Sequence, residues 1–208
     1  MNHLAAFDVA FAQCPLIAIL RGVKPDEVEA IGDALADAGF TLIEVPLNSP
    51  DPFDSITRLA RRLGDRAMVG GGTVLREAEV IAVAESAGRL IVSPNASPAV
   101  IAATAAHGLI SLPGIATPTE AFAALDAGAT ALKLFPAEAA SPVALKAMRA
   151  VLPVATRVLP VGGITPDTMQ PWRDTGASGF GLGSALYRPG FSAAEVGARA
   201  AAFVRALA

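Results

Sequence analysis

The chain contains three lysines, and one of them stands where an ammonium group is out of place. Lys24 opens a helical stretch and Lys146 falls within one, so both have solvent as their natural surroundings. Lys133 lies in Ala-Leu-Lys-Leu-Phe-Pro, a run that otherwise reads as a buried strand. A charged amine there is costly without a partner. Burial and a neighbouring cation both lower a lysine pKa from about 10.4, and the neutral amine that results can add to a carbonyl carbon. A strand-end lysine stretching out to water would give the same local sequence.

Glu44 in Leu-Ile-Glu-Val-Pro-Leu and Arg21 in Leu-Ile-Ala-Ile-Leu-Arg repeat the anomaly in two other apolar runs. Brought together, the three supply an amine nucleophile, a proton carrier and a guanidinium that grips a carboxylate through two hydrogen bonds. A structural ion pair is the other reading of Glu44 and Arg21. Glycines gather at three places: Gly70-Gly71-Gly72 followed by Thr73, Gly162-Gly163, and Gly181-Leu-Gly183-Ser184. Paired glycines let backbone N–H groups approach an anion. The first cluster opens space for a substrate, with the Thr73 hydroxyl available to a carboxylate. Phe135 lies two residues beyond Lys133 and so shares its side of a strand. Cys14, His3 and His107 read as structural or surface residues, and Trp172 and Tyr187 as core or interface.

These residues need a scaffold, and the sequence repeats at the scale of one. Gly39, Gly64, Gly88, Gly108, Gly128 and Gly176 each close an Ala-rich helical stretch before an apolar run, at a period of about 20 to 25 residues with the last interval near two units. Such glycines end helices through a left-handed residue. Strands are expected at 16–21, 42–47, 67–73, 90–94, 109–113, 131–136, 157–162 and 179–183. Helices follow at 25–38, 52–63, 76–87, 97–107, 117–127, 141–151, 166–175 and 192–206, with Pro25, Pro52, Pro98, Pro118, Pro142 and Pro166 at their starts. Eight β-then-α units select an α/β (β/α)8 barrel over a doubly wound open sheet, with a short leading helix at the N-terminus. Such a barrel gathers the C-terminal strand ends around one mouth, and its usual phosphate site is in the loops after strands seven and eight, where Gly162-Gly163 and Gly183-Ser184 fall.

Composition narrows the partners. At 208 residues the chain suits one domain spanning 1–208, and 53% hydrophobic against 17% charged residues fits buried parallel strands. A net charge of −3 offers no basic surface to nucleic acid or anionic lipid. Leu90 to Thr119 is uncharged but broken by Pro94, Pro98 and Pro113, which makes it a poor membrane span. The first residues lack the pattern of a secretory signal, and Cys14 alone cannot form an internal disulfide, so a cytoplasmic location is expected. Two distant histidines and one cysteine provide no metal spacing, so no metal or cofactor is expected.

Taken in order, Leu-Arg21-Gly, Glu44-Val-Pro-Leu-Asn48-Ser-Pro, Gly72-Thr73-Val-Leu, Ser93-Pro94-Asn95, Lys133-Leu-Phe-Pro136 and Gly162-Gly163-Ile-Thr resemble the class I 2-keto-3-deoxy-6-phosphogluconate and phosphogalactonate aldolases. The resemblance spans nearly the whole chain. It implies a metal-free homotrimer of barrels that cleaves a phosphorylated 2-keto-3-deoxy sugar acid to pyruvate and glyceraldehyde 3-phosphate. It further implies Lys133 as the Schiff-base lysine and Glu44 as the general acid/base, acting directly or through a water. Arg21 and Thr73 would bind the pyruvate-end carboxylate, Pro94 and Phe135 would wall the site, and Gly162, Gly163, Gly183 and Ser184 would cradle phosphate. Val161 stands where the phosphogluconate type carries Thr, and Pro46-Leu-Asn48 where it carries Thr-Leu-Arg. Both departures resemble the phosphogalactonate branch; Val cannot hydrogen-bond a C4 hydroxyl as Thr can, which relaxes or shifts preference at that carbon and favours the galacto substrate. An enzyme for the gluco epimer or for both, a phosphate-binding barrel isomerase, and a non-catalytic sugar-acid binder are the competing readings.

Overall fold

The computed structural model describes residues 3–207. Its elements run α1 (His3–Gln13), β1 (Leu16–Ile19), α2 (Val28–Asp37), β2 (Leu42–Pro46), α3 (Pro52–Leu63), β3 (Met68–Gly72), α4 (Glu77–Glu85), β4 (Leu90–Val92) and α5 (Pro98–Ala106). There follow β5 (Ile110–Leu112), β6 (Gly114–Ile115), α6 (Pro118–Asp126), β7 (Leu132–Leu134), α7 (Pro142–Arg149), β8 (Val158–Pro160), α8 (Met169–Arg173), β9 (Phe180–Leu182) and α9 (Ala193–Arg205). Each of the eight expected strands is present. The fifth is divided, because Pro113 has no N–H for the ladder and separates β5 from β6.

Every strand pairing is parallel. One sheet has the order β5-β4-β3-β2-β1-β9 and the other β6-β7-β8. A parallel bridge between Val161 and Gly181 links β8 to β9, and β5 leads through Pro113 directly into β6. The strands are buried on both faces, which is why they read as near-continuous apolar runs. Alternate residues sort into two cores. Leu16, Ala18, Ile43, Val45, Val69, Ile91, Leu132 and Val158 pack against the surrounding helices, while Ile17, Leu42, Met68, Leu90, Ile110 and Leu159 meet one another across the two sheets.

Helix α1 seals the N-terminal ends of the strands. Phe7 and Phe11 join the inner cluster, and a fully buried Phe contributes about 2 to 3 kcal/mol relative to exposure. Arg157 lies over both rings, 5.5 and 5.0 Å from their centroids, and bonds Asp8 at 2.6 Å. Thr41 Oγ1 donates to the Ala10 carbonyl at 2.7 Å, and His3 Nδ1 lies 3.0 Å from the Gly108 carbonyl. The leading helix is therefore a plug rather than a loose extension.

Helix ends follow the local chemistry, with exceptions. Thr117 with Glu120 and Ser192 with Glu195 form reciprocal caps at the starts of α6 and α9. Pro25 lies in a turn before α2, which starts at Val28. The stretch expected as one helix over 166–175 is a single-turn 3-10 segment, Pro166–Thr168, followed by the short α8. At the end of α4 the left-handed residue is Ala87, φ 61°, and not Gly88. Gly88 is needed for a different reason: a Cβ there would lie 2.5 Å from Val83 Cγ1.

Candidate active site

Strand alternation decides which side chains face the space between the sheets. On β2, Leu42 and Glu44 point inward while Ile43 and Val45 point at helices. On β7, Leu132 and Leu134 face the helices, so Lys133 between them faces in. Register places Glu44 opposite Ile19 and Gly70, and Lys133 opposite Gly114 and Leu159. Both charged groups are almost fully shielded: Glu44 is 2% and Lys133 6% exposed.

Room for them comes from missing side chains. A Cβ on Gly72 would overlap the Glu44 carboxylate. A Cβ on Gly181 would come within 2.7 Å of Val161. A small apolar cavity lies against Glu44 and Lys133, walled by Ile17, Ile19, Leu159 and Val161. The two charges therefore sit at the boundary between a dry interior and an open mouth.

Burial pushes the Lys133 amine down from the ordinary lysine range; Glu44 opposes this and Arg21 adds to it. Burial likewise pushes the Glu44 carboxyl up, against the pull of Lys133 and Arg21. The two groups are thereby moved towards each other in proton affinity, which favours proton exchange at this site. Glu44 Oε2 is buried with no hydrogen-bond partner. Carboxylate oxygens are rarely left so, and this one is available to a substrate hydroxyl or a water. The Lys133 amine also lies 4.9 Å from the centre of the Phe135 ring.

Arg21 is exposed, and Asn48 orients it: Arg21 Nη1 donates to Asn48 Oδ1 at 2.6 Å. Both terminal nitrogens of Arg21 reach Thr73 Oγ1 at 3.5 Å, a long contact. Thr73 has φ 57°, a left-handed conformation unfavourable for a β-branched residue. Strain of this kind costs on the order of 1 to 3 kcal/mol and persists where surrounding structure fixes it. Gly22 N donates to the buried Ser49 Oγ at 2.9 Å, tying the loop after β1 to the loop after β2.

A cavity of about 310 Å³ opens above these groups. It brings together Arg21, Lys133, Phe135, Val161, Gly162, Gly163, Gly183 and Ser184 of the residues singled out from the sequence. Glu44 borders the smaller cavity beneath, and Thr73 joins through Arg21. Pro94 does not line the larger cavity; its carbonyl is packed against Gly114, the register neighbour of Lys133. Glu138, Tyr187, Arg188 and Pro189 also line it, and sequence reasoning missed them as site residues. Tyr187 donates to Glu27 at 2.9 Å, and its phenol is pushed well above the usual range by burial and by that carboxylate. For Arg188 a signal was present: a cation four residues after Ser184 in a glycine-rich strand exit.

Among the described residues no cluster of three or more His, Cys, Asp or Glu could hold a metal ion, and no helix is long and apolar enough to cross a membrane. The arrangement instead offers an amine beside a carboxyl group, a guanidinium, and a glycine-lined pocket extending from them.

Comparison with known proteins agrees with that geometry. The chain is 50% identical over 192 residues to the 2-dehydro-3-deoxy-6-phosphogalactonate aldolase of Escherichia coli (strain K12), covering 92% of this chain and 94% of that protein. A solved structure described as "Native KDPGal structure" matches with TM-score 0.92 and 49% identity over 94% of this chain and 95% of the other. A cube-shaped protein cage, designed by fusing symmetric oligomeric domains, contains a similar fold: TM-score 0.92, 49% identity, 93% of this chain and 72% of that one. The model of the aldolases described as KDPG and KHG aldolase matches residues 8–200, and the chain belongs to that family.

Proposed function

We propose that the protein cleaves 2-keto-3-deoxy-6-phosphogalactonate to pyruvate and glyceraldehyde 3-phosphate through a Schiff base on Lys133. The observation that carries this reading is the pairing of a buried Lys133, its amine pushed down by burial, with a buried Glu44, its carboxyl pushed up by burial, at the base of an open cavity. The family to which the chain belongs supports the aldolase chemistry, and the Escherichia coli relative supports the galacto substrate.

The neutral Lys133 amine adds to the C2 ketone, and Glu44 gives its proton to the departing water, which leaves an iminium and a Glu44 carboxylate. Glu44, through its unpartnered oxygen, takes the C4 hydroxyl proton. The C3–C4 bond then breaks, its electrons moving into the iminium to leave an enamine, and glyceraldehyde 3-phosphate departs. Protonation of the enamine at C3 and hydrolysis release pyruvate and restore the amine. Dividing the reaction into covalent steps lowers the barrier of each, and general acid–base help contributes about 10² to 10⁴ in rate. Arg21 and Thr73 hold the carboxylate, Phe135 bounds the reacting carbons, Pro94 backs the strand neighbour Gly114 rather than the cavity itself, and Gly162, Gly163, Gly183 and Ser184 receive the phosphate. Val161, apolar and at the cavity wall, supplies no hydrogen bond to a C4 hydroxyl, which favours the galacto epimer.

The same reading includes one domain whose strands close into a (β/α)8 barrel. The Val161–Gly181 bridge and the passage from β5 to β6 through Pro113 support closure. It also includes a homotrimer in the cytoplasm, and the use of a similar chain in a cage built from symmetric oligomers supports self-association.

Borohydride reduction in the presence of pyruvate, followed by peptide mapping, tests the chemistry: the label falls on Lys133. A label on Lys24 or Lys146, or none, removes the mechanism. Pyruvate release from the two C4 epimers tests the substrate, and a faster gluco epimer overturns the galacto assignment.

A further inference from the structure

Two charged side chains at the glycine end of the cavity have no place in the reaction as written. Arg188 lies on the loop after β9 and lines the cavity beside Gly183 and Ser184. Its Nε donates to the Ser184 carbonyl at 2.9 Å, which holds the guanidinium against the strand exit. Its terminal nitrogens make no hydrogen bond or ion pair with the protein among the described residues. The preceding residue, Tyr187, is buried and anchored to Glu27, so the backbone that carries Arg188 is fixed. A held guanidinium with two unused donor groups, facing a pocket rather than a carboxylate, is arranged to bind an anion.

Glu138 enters the same cavity from the other side, on the single-turn 3-10 segment Ala137–Ala139 after β7. Its carboxylate rests on the glycine pair: a Cβ on Gly162 would overlap it, and one on Gly163 would lie 2.9 Å from its Cγ. An exposed carboxylate thus occupies the surface that the reading above assigns to phosphate. No cation pairs with it among the described residues.

Resting on the aldolase reading, we propose that Arg188 and Glu138 form a charge gate at the phosphate end of the site. Arg188 provides the cation that binds the terminal phosphate. Glu138 is a built-in monoanion over the glycine pair that an incoming phosphate must displace. A phosphate carries about 1.5 to 2 negative charges and three strong acceptor oxygens, so it competes well for Arg188 and the backbone. A carboxylate- or hydroxyl-ended analogue competes poorly, and the pair therefore favours phosphorylated substrates over shorter or unphosphorylated keto acids.

The two residues must act with opposite sign. In Arg188→Gln, KM for the phosphorylated keto acid rises ten- to a hundredfold, and Arg188→Lys recovers much of that loss. In Glu138→Gln, KM falls several-fold, since the neutral amide no longer repels the phosphate. Loosening of the loop would raise KM in both variants and would not be rescued by Lys. A KM within twofold of the parent in Arg188→Gln, or a raised or unmoved KM in Glu138→Gln, overturns the gate. Borohydride trapping of pyruvate on the parent protein separates the two failures. An absent adduct at Lys133 overturns the aldolase reading and this inference with it, whereas a normal adduct with unmoved KM values overturns the gate alone.

Discussion

Gly72 lacks a side chain where Glu44 needs one to be lacking: the position a Cβ would occupy is already filled by the Glu44 carboxylate. Neither residue can be understood without the other. Gly72→Ala should drive the carboxylate off its inward position, with kcat falling at least a hundredfold while the fold is kept. Steady-state rates together with circular dichroism check this, and full activity in the alanine variant would place the working carboxylate elsewhere.

The shifts at Lys133 and Glu44 give a signed pH test. Glu44 holds the Lys133 pKa up and Arg21 pushes it down. Removing the carboxylate in Glu44→Gln therefore lets the amine lose its proton at lower pH, and the acid limb of pyruvate trapping moves down. Removing the guanidinium in Arg21→Gln moves that limb up. Trapping rates at saturating pyruvate across pH 4 to 10 read both (~6 units, ample for a lysine of this kind). Limbs displaced in the same direction would contradict the electrostatic account.

Asn48 holds Arg21 through a 2.6 Å hydrogen bond, which on the proposed reading makes it a positioning residue for the carboxylate site. Loss of a charge-assisted hydrogen bond costs about 1.5 to 3 kcal/mol, so Asn48→Ala should raise KM for pyruvate in the condensation direction roughly ten- to a hundredfold. Asn48→Asp should also weaken binding, because it neutralises the guanidinium while keeping its orientation. An alanine variant with parental KM would show that Arg21 needs no such support.

At Val161 a hydroxyl can be added with little change in volume. Val161→Thr should shift kcat/KM towards the gluco epimer, on the order of tenfold relative to the galacto epimer, the worth of about one hydrogen bond. Paired rates on the two C4 epimers measure it. An unchanged ratio would remove this position from the control of stereochemistry.

The inner cluster makes a separate claim on stability. Phe7→Ala leaves a void between α1 and the strand ends and should cost about 3 to 5 kcal/mol, seen as a lower urea midpoint. Asp8→Ala, which breaks only a partly exposed ion pair with Arg157, should cost under about 1 kcal/mol.

Lys133 and Glu44 were legible because a charge in an apolar strand has few structural explanations; Arg21 was legible at the end of an apolar run, although β1 ends at Ile19 and Arg21 lies exposed in the turn beyond it. The order of strands and helices was legible too, since doubly buried strands leave continuous Val, Leu and Ile runs between Ala-rich helices. Glu138 was not: a charged residue in a loop is what solvent alone would select, and only the path of the backbone turns it toward the cavity, whereas Arg188 had only its nearness to Ser184 to mark it. Ala87 escaped for a related reason. Glycine marks the end of α4 by sequence, but contact with Val83 consumes Gly88 and the reversal falls one residue earlier. The plug formed by α1 could not be read from its own residues, because its apolar face is defined largely by strands distant in sequence, from β2 to β8.

That plug also settles the geography of the molecule. His3 and Phe7 lie at the strand beginnings, beside Gly108, while Arg21, Lys133 and Ser184 face the other end. A tag, tether or carrier protein joined ahead of α1 would emerge from the floor of the enzyme, leaving the entrance clear for immobilisation on a surface or display on a particle.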